Sequence, residues 1–194
     1  MPEPVLSSDV LPKRFLEAAA EHAGKRMPPV ERWNPDYCGE IDMRIARDGR
    51  WFYMGTPINR LPLVKLFATI LRRDPERYVL VTPVERVGIL VEDAPFLAVE
   101  KERVVGENGA TLAFRTNLDE IIVAGHDHPM RFELDETGGL KPYVHVRGDL
   151  WARLTRSLAL DLIEMMVPDD HGRLGILVAG AFFAVPDLAE VPRP

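Results

Sequence analysis

The sequence predicts an α+β fold of two domains that share a duplicated hairpin–helix–strand motif. The first observation is a series of short runs of apolar and polar residues separated by turn sequences such as Asp-Gly and Gly-Gly, which is typical of antiparallel strands. The second is a pair of amphipathic segments whose apolar residues recur at helical spacing. The third is their order, since a hairpin precedes each amphipathic segment and an apolar strand follows it.

The N-terminal domain is predicted over 1–84. Its helices are amphipathic, and Asp74-Pro75 ends the second one because proline disfavours a helical residue before it. Its hairpin turns at Asp48-Gly49, and Trp51 begins the return strand. The elements are a helix, a hairpin, a second helix and a buried strand, at 9–23, 41–46 with 51–54, 61–73 and 78–82.

The C-terminal domain is predicted over 85–194 as a mostly antiparallel β unit with one long helix near 149–167. Asp149 is placed to cap that helix, and Leu150, Leu154 and Leu158 recur at helical spacing along it. The strands are predicted at 86–92, 96–100, 111–115, 120–124, 130–134, 142–147 and 174–185.

The internal repeat is seen when the first helix is shifted along the chain. A shift of 87 positions places Arg60 on Arg147, and it brings the apolar stripes of the two helices into register. The alternative is that any two amphipathic helices align on their stripes. The shared order of elements favours duplication, and grooves between related domains are common ligand sites.

Composition excludes several classes of protein. A net charge of −6 argues against bulk nucleic-acid binding, although a nucleotide-sized anion needs only one or two arginines. Cys38 is the single cysteine, so an internal disulfide and a four-cysteine zinc site are excluded. The N-terminal residues lack the apolar core of a secretory signal, and the longest apolar stretch is too short to span a membrane. We therefore expect a cytoplasmic protein with no membrane partner.

No catalytic motif is present. The sequence has no Gly-x-Ser-x-Gly elbow, no Walker loop, no Gly-x-Gly-x-x-Gly and no His-Glu-x-x-His. A catalytic triad assembled only in space stays open. We therefore expect a non-enzymatic protein, and we assign no catalytic residue, cofactor or metal.

Four long patterns carry a resemblance to a known family. They are CGEIDMRIARDGRWFYMGTPINRLPLVKLF, YVLVTPVERVGILVEDAPF, FRTNLDE and PYVHVRGDLWARLTR. From about Pro29 to about Val185 the chain resembles the bacterial family called domain of unknown function 1285. The resemblance implies a two-domain fold with a duplicated core motif and a C-terminal half similar to pleckstrin-homology barrels. It also implies a site for a nucleotide-like signalling ligand at the domain interface, but no catalytic residue.

Two groups of residues are candidates for a site that binds a small anion at the interface of the two domains. Arg60 and Arg147 precede the predicted helices and could clamp charge, or they could form surface salt bridges with carboxylates such as Asp149. Three aromatic residues are candidates for stacking on a ring. They are Trp51, Tyr53 and Tyr143.

Polar residues at strand ends complete the candidate set, and each has an alternative role in turn chemistry. Thr82, Glu85 and Asp93 follow predicted strands, and Asn117 forms a polar corner. We expect a ligand-binding protein for a small anionic, nucleotide-like molecule.

Two other functions were left open by the sequence. His126, Asp127 and His128 carry metal-ligand side chains and could serve a metal-dependent hydrolase. A third and fourth ligand are not evident, so a solvated loop is the better interpretation of this segment. A protein-interaction adaptor or a homodimer that uses a sheet edge is the other alternative.

Overall fold

The computed structural model describes residues 27–106 and 109–186, and the chain divides into two compact units after Glu92. The helix predicted over 9–23 lies outside the described residues. The predicted boundary at residue 84 differs from this division, because residues 86–91 form a strand that pairs within the first unit.

The described residues of the first unit form a six-stranded sheet with one α-helix. The strand order is β3-β2-β1-β6-β5-β4, in which β1 and β6 are parallel and the other neighbours are antiparallel. The elements are a 3-10 helix (Val30–Arg32), β1 (Tyr37–Ile45), β2 (Trp51–Tyr53), β3 (Thr56–Pro57), α1 (Leu61–Thr69), β4 (Leu71–Asp74), β5 (Arg77–Val81) and β6 (Arg86–Val91).

The helix predicted over 61–73 ends earlier than expected, at Thr69. Leu71–Asp74 is a strand, and Leu71 lies opposite Leu80 on β5. An apolar residue such as Leu71 fits a buried helix face and a buried strand equally well, so only the pairing partner decides between them. On the helix, Phe67 packs against Trp51 with ring centroids 6.3 Å apart.

Between residues 93 and 186, the described part of the second unit contains a six-stranded sheet, one helix and a three-stranded sheet. The larger sheet has the order β10-β11-β12-β7-β8-β9, in which β12 and β7 are parallel. The elements are β7 (Phe96–Gly106), β8 (Gly109–Thr116), β9 (Ile121–Val123), β10 (Met130–Leu134), β11 (Leu140–Arg147), β12 (Leu150–Leu154), α2 (Arg156–Ile163), β13 (Val167–Pro168), β14 (Leu174–Val178) and β15 (Ala181–Ala184).

The two six-stranded sheets have the same topology. Read from β9, the second sheet runs β9-β8-β7-β12-β11-β10, which repeats the order of the first sheet with six added to each strand number. The first and sixth strands of each sheet form its parallel central pair. The predicted duplication is therefore confirmed, and its unit is the whole sheet.

The predicted equivalence of the two helices is wrong. Helix α1 lies between the third and fourth strands of its sheet, whereas α2 follows the sixth strand of its own. Arg60 therefore precedes a helix after the third strand, while Arg147 ends the fifth strand. The 87-residue shift aligned two apolar stripes that are not topological equivalents.

The long helix predicted near 149–167 is also wrong. Residues 150–154 form β12, and α2 is eight residues long with Thr155 as its N-cap. Leu150, Ala152 and Leu154 are buried in β12 with the alternation of a strand. Because Leu150 and Leu154 satisfy both a period of two and a spacing of four, the apolar pattern alone did not separate strand from helix.

The described strands of the second unit form open sheets, with β9 and β10 at the two edges of the larger one. They do not show the predicted barrel-like closure. Strand β14 contacts β8 and β15 contacts β10, so the small sheet packs against the large one within this unit. Neither helix in the described part of the chain is long and apolar enough to cross a membrane.

Candidate functional site

The second unit contains a cavity of about 980 Å³. One wall is the turn between β10 and β11, and another is α2 with the end of β12. The third wall is the turn between β13 and β14 together with the residues that follow β15. All of the described residues that line it belong to this unit, and we call it the helix cavity.

Asp135 organises the turn between β10 and β11. Its Oδ1 accepts hydrogen bonds from the backbone N–H groups of Thr137 at 2.8 Å and Gly139 at 2.7 Å, and from the Thr137 hydroxyl at 2.7 Å. Gly138 has a φ of +78°, which glycine adopts without strain. The hydrogen bonds from Thr137 and then Gly139 lower the pKa of the Asp135 carboxyl. This carboxylate is therefore already engaged by its own turn.

Asp169 organises the turn between β13 and β14 in the same way. Its Oδ1 accepts from the backbone N–H groups of His171 and Arg173, each at 2.9 Å, and Gly172 again has a φ of +78°. Burial opposes ionisation of the Asp169 carboxyl, but the hydrogen bonds from Arg173 and His171 outweigh it and lower the pKa. Two turns with matching Asp-x-x-Gly chemistry thus border the helix cavity.

Helix α2 presents one face to the cavity. Arg156, Ala159, Leu160 and Ile163 line it, at the spacing that places residues on a single helix face. Leu160 is 56% exposed and Ile163 is 47% exposed, although both are large apolar side chains. This wall is therefore basic at its N-terminal end and apolar along the rest of its length.

The charged residues that line the cavity are mostly cations. Lys141, Arg153, Arg156 and Arg173 are basic, and Asp135 is the one carboxylate among the described residues that line it. Lys141, Arg153 and Arg173 also contact carboxylates outside the lining. Arg156 has no carboxylate within ion-pair distance in the described part of the chain. An anion that enters the cavity therefore meets four basic side chains, and Arg156 is the one among them without such a carboxylate contact.

Asp93 holds one of these cations in place. Asp93 Oδ2 accepts a hydrogen bond from Arg153 Nη1 at 2.8 Å, and its Oδ1 accepts from the Tyr143 hydroxyl at 2.7 Å. The Tyr143 side chain is 1% exposed. Burial, and then the bond to Asp93, raises the pKa of the Tyr143 phenol. The structure thus brings together two residues that the sequence singled out, Asp93 and Tyr143, and joins them to Arg153.

The candidate residues of the first unit lie in three kinds of position, namely a buried strand, a turn between strands and the exposed start of a helix. Trp51 and Tyr53 are buried in β2. The buried Thr82 hydroxyl accepts from the Glu85 N–H at 3.2 Å, so these two residues shape the turn between β5 and β6. Arg60 is exposed at the start of α1. The ligand contacts predicted for these residues stay predictions.

The remaining candidates of the second unit contact protein groups. Asn117 Oδ1 accepts from the Leu97 N–H at 3.0 Å, which joins the turn after β8 to β7. Arg147 Nη1 donates to both carboxylate oxygens of Glu120, at 2.9 and 2.6 Å. The guanidinium also lies over the Phe96 ring, 5.1 Å from its centroid. An anion would have to compete with Glu120 for Arg147.

The histidine segment forms a local ring cluster. His128 and His145 have centroids 5.8 Å apart, and His128 Nδ1 lies 3.1 Å from the His145 carbonyl oxygen. Within the described residues, no three His, Cys, Asp or Glu side chains are grouped so that they could hold a metal ion. The metal site suggested for His126, Asp127 and His128 therefore has no geometric counterpart there.

Sequence reasoning missed the basic and apolar residues of the helix cavity. Lys141, Arg153, Arg156 and Arg173 are distributed over four elements or turns, and their convergence depends on the fold. The pattern Asp-x-x-Gly marks both turns of its rim, at 135–138 and 169–172. The same pattern also occurs at 36–39, outside the cavity, so it does not by itself identify the site.

Comparisons with known proteins place the chain in a family. Residues 28–94 match the N-terminal domain of the domain of unknown function DUF1285, and residues 95–185 match the C-terminal domain of the protein of unknown function DUF1285. No curated protein matches the chain.

Two solved structures are similar to the chain. A DUF1285 family protein from Silicibacter pomeroyi is 44% identical, with a TM-score of 0.81, and the match covers 92% of this chain and 98% of that one. A DUF1285 family protein from Shewanella baltica is 30% identical, with a TM-score of 0.52, over 64% of this chain and 91% of that one. The two family matches together extend over most of the sequence, and the chain belongs to the DUF1285 family.

Proposed function

We propose that this protein is a non-enzymatic binding protein for a small anionic ligand, and that the helix cavity holds this ligand. The observation that carries the proposal is the charge of the cavity wall. Four basic residues line it, and Asp135, the one carboxylate among its described lining residues, already accepts three hydrogen bonds from its own turn. Arginine and lysine in a partly enclosed site favour carboxylates and phosphates.

The size of the cavity supports the same proposal. Its volume of about 980 Å³ lies near the upper end of the range for small-molecule sites, roughly 300–1,000 Å³. The basic groups occupy different walls, since Arg156 begins α2, Lys141 lies on β11 and Arg173 precedes β14. A ligand with one anionic group could contact two or more of them at once.

The sequence predicts a different placement of the ligand, which stands as an alternative to the helix cavity. It is a nucleotide-like ligand at the interface of the two domains, with Arg60 and Arg147 as contacts. A signalling role that rests on the likeness to pleckstrin-homology domains stays a prediction. A homodimer and a cytoplasmic location are also predictions. Light scattering over a range of protein concentrations tests the homodimer.

A thermal-shift screen of the full chain tests the proposed function. The panel contains nucleotides, inorganic phosphate and carboxylates of increasing size. A ligand present well above its dissociation constant raises the melting temperature, since it stabilises the folded state by about 2.7 kcal/mol at one hundred times that constant.

The matched variants are Arg156→Gln, which removes a charge from the cavity, and Arg103→Gln, which removes one from the exposed face of β7 outside it. The proposal predicts that the shift is lost only in Arg156→Gln. A screen in which no anion shifts the melting temperature contradicts the proposal.

A further inference from the structure

We propose that the ligand of the helix cavity is a single-chain amphiphile, with one anionic head group and an aliphatic tail, such as a fatty carboxylate or an alkyl phosphate. This inference rests on the proposed function and adds the chemical class of the ligand. It is carried by the distribution of charge and apolar surface along α2.

Three large apolar side chains of the cavity are exposed to solvent, and packing of the protein core does not explain why they are apolar. Leu160, Ile163 and Leu174 are 56%, 47% and 53% exposed, and all three line the cavity. Isolated exposed apolar residues are common on proteins, but a group that converges on one concave site marks a surface that binds something. An aliphatic tail would remove these three side chains from water.

The geometry of α2 orders the two kinds of surface. Arg156 and Ile163 are seven residues apart on the same face, and a helix rises 1.5 Å per residue, so the head-group end and the far apolar end are separated by roughly 10 Å along the helix axis. A head group at Arg156 would therefore let a tail run along Leu160 to Ile163. A compact anion such as inorganic phosphate would leave this apolar wall uncovered.

The absence of Phe, Tyr and Trp from the described lining of the cavity, whose one aromatic ring is the imidazole of His171, favours an amphiphile over a nucleotide. Among the described residues that line it there is no Phe, Tyr or Trp, and the apolar lining is Leu, Ile, Met, Val, Ala and Pro. Proteins that hold bases commonly stack them on aromatic rings, whereas aliphatic side chains pack against an alkyl chain through area burial. The lining therefore favours an alkyl chain.

Titration calorimetry of the full chain with a homologous series tests the inference. The probes are hexanoate, octanoate and decanoate below the concentrations at which they form micelles, with 1-decanol and decyltrimethylammonium as neutral and cationic controls. Each buried methylene contributes enough to strengthen binding by about fourfold, so decanoate should bind far more tightly than hexanoate. The two control probes should bind more weakly than decanoate, since they lack the negative charge.

Matched variants locate the binding. Leu160→Gln should weaken decanoate binding by about fivefold, from the loss of part of a buried leucine contact, while Leu177→Gln, at a leucine that is 58% exposed and outside the cavity, should not change it. Arg156→Gln should weaken decanoate binding by about tenfold.

The possible results distinguish the anion-binding function from the amphiphile proposed as its ligand. Anions that bind with no dependence on chain length overturn the amphiphile and leave the anion-binding function standing. Equal losses from Leu160→Gln and Leu177→Gln overturn the placement of the tail on α2. If neither the fatty acids, the nucleotides nor phosphate bind, both proposals fail.

Discussion

Asp93 and Arg153 form an ion pair that joins the first residues of the second unit to the wall of its cavity. Asp93 Oδ2 lies 2.8 Å from Arg153 Nη1, and the Asp93 side chain is only 12% exposed. The same carboxylate accepts a hydrogen bond from the buried Tyr143 hydroxyl. One carboxylate thus positions a cavity cation and satisfies a buried phenol.

Replacement of this carboxylate should destabilise the second unit. Asp93→Ala leaves the Tyr143 hydroxyl and Arg153 without their shared acceptor, and we expect a loss of about 2 kcal/mol in the free energy of unfolding. Urea denaturation measures it. Asp170→Ala, at an exposed carboxylate, is the control and should change stability by less than about 0.5 kcal/mol. Equal effects of the two variants would contradict the role assigned to Asp93.

Tyr143→Phe should alter how stability depends on alkaline pH. The pKa of Tyr143 is raised in the folded protein, while the phenol of an unfolded chain has a pKa of about 10. Above pH 10 the unfolded chain therefore loses a proton that the folded chain retains, so stability falls as the pH rises. The phenylalanine variant lacks this contribution.

At pH 7 Tyr143→Phe should cost about 1 kcal/mol, because one hydrogen bond to Asp93 is lost. The difference in the free energy of unfolding between Tyr143→Phe and the unaltered protein should decrease between pH 10 and 11, by at most about 1.4 kcal/mol per pH unit. Urea midpoints measured at pH 7, 9, 10 and 11 test this. A difference between the two proteins that stays constant over this range would contradict it.

Arg147 and Glu120 should behave as a partly exposed ion pair. Their side chains are 24% and 32% exposed, and exposed pairs contribute little, so Arg147→Gln and Glu120→Gln should each cost less than about 1 kcal/mol. Because each variant removes the same contact, the double variant should cost less than the sum of the two single ones. Denaturation of all four proteins measures this coupling.

The same variants test Arg147 as an anion contact. Arg147 does not line the helix cavity, so Arg147→Gln should leave the affinity for decanoate unchanged. If Arg147→Gln abolishes ligand binding while Glu120→Gln preserves it, the anion clamp predicted from the sequence gains support, and the assignment of the ligand to the helix cavity is contradicted.

Arg72 should be a major source of stability in the first unit. It is 7% exposed, and its Nη1 donates to the carbonyl oxygens of Val30 at 2.8 Å and Trp33 at 2.6 Å. Arg72→Met fills a similar volume but leaves both carbonyls without this donor, and we expect a cost of about 2–3 kcal/mol. Arg73→Met, at the adjacent and more exposed arginine, should cost less than about 1 kcal/mol. Urea denaturation compares them, and similar losses would contradict the prediction.

Asp135 should stabilise its turn only when it is ionised. Its pKa is lowered in the folded protein, so its contribution is present above about pH 4, the unfolded value, and is lost as the pH falls through the folded value. Asp135→Ala should therefore lower the melting temperature at pH 6, and the difference from the unaltered protein should shrink towards pH 3.

Glu136→Ala is the matched control, since Glu136 is an exposed carboxylate in the same turn. It should have little effect at either pH. A constant difference between Asp135→Ala and the unaltered protein from pH 6 to pH 3 would show that the charge of Asp135 is not what supports the turn.

The sequence by itself determined the hairpin turns of this protein and its resemblance to a family. The Asp48-Gly49 hairpin and the hairpin around Gly138-Gly139 are where the turn chemistry predicted them, because the residues that stabilise a tight turn lie within a few positions of one another. Asp93 and Tyr143 were candidates for the same ligand site, but the hydrogen bond between them was not predicted. The duplication was also evident, although its register was not.

Only the tertiary structure decided which apolar segments are strands. Leu71–Asp74 and Leu150–Leu154 carry patterns that suit a helix as well as a strand, and pairing with β5 in one case and with β7 and β11 in the other makes them strands. The helix cavity was decided in the same way. Its basic and apolar residues come from segments between 134 and 186, and they meet only after those strands have paired. Local chemistry can specify a turn, whereas a wall built from several segments depends on long-range pairing that no single segment encodes.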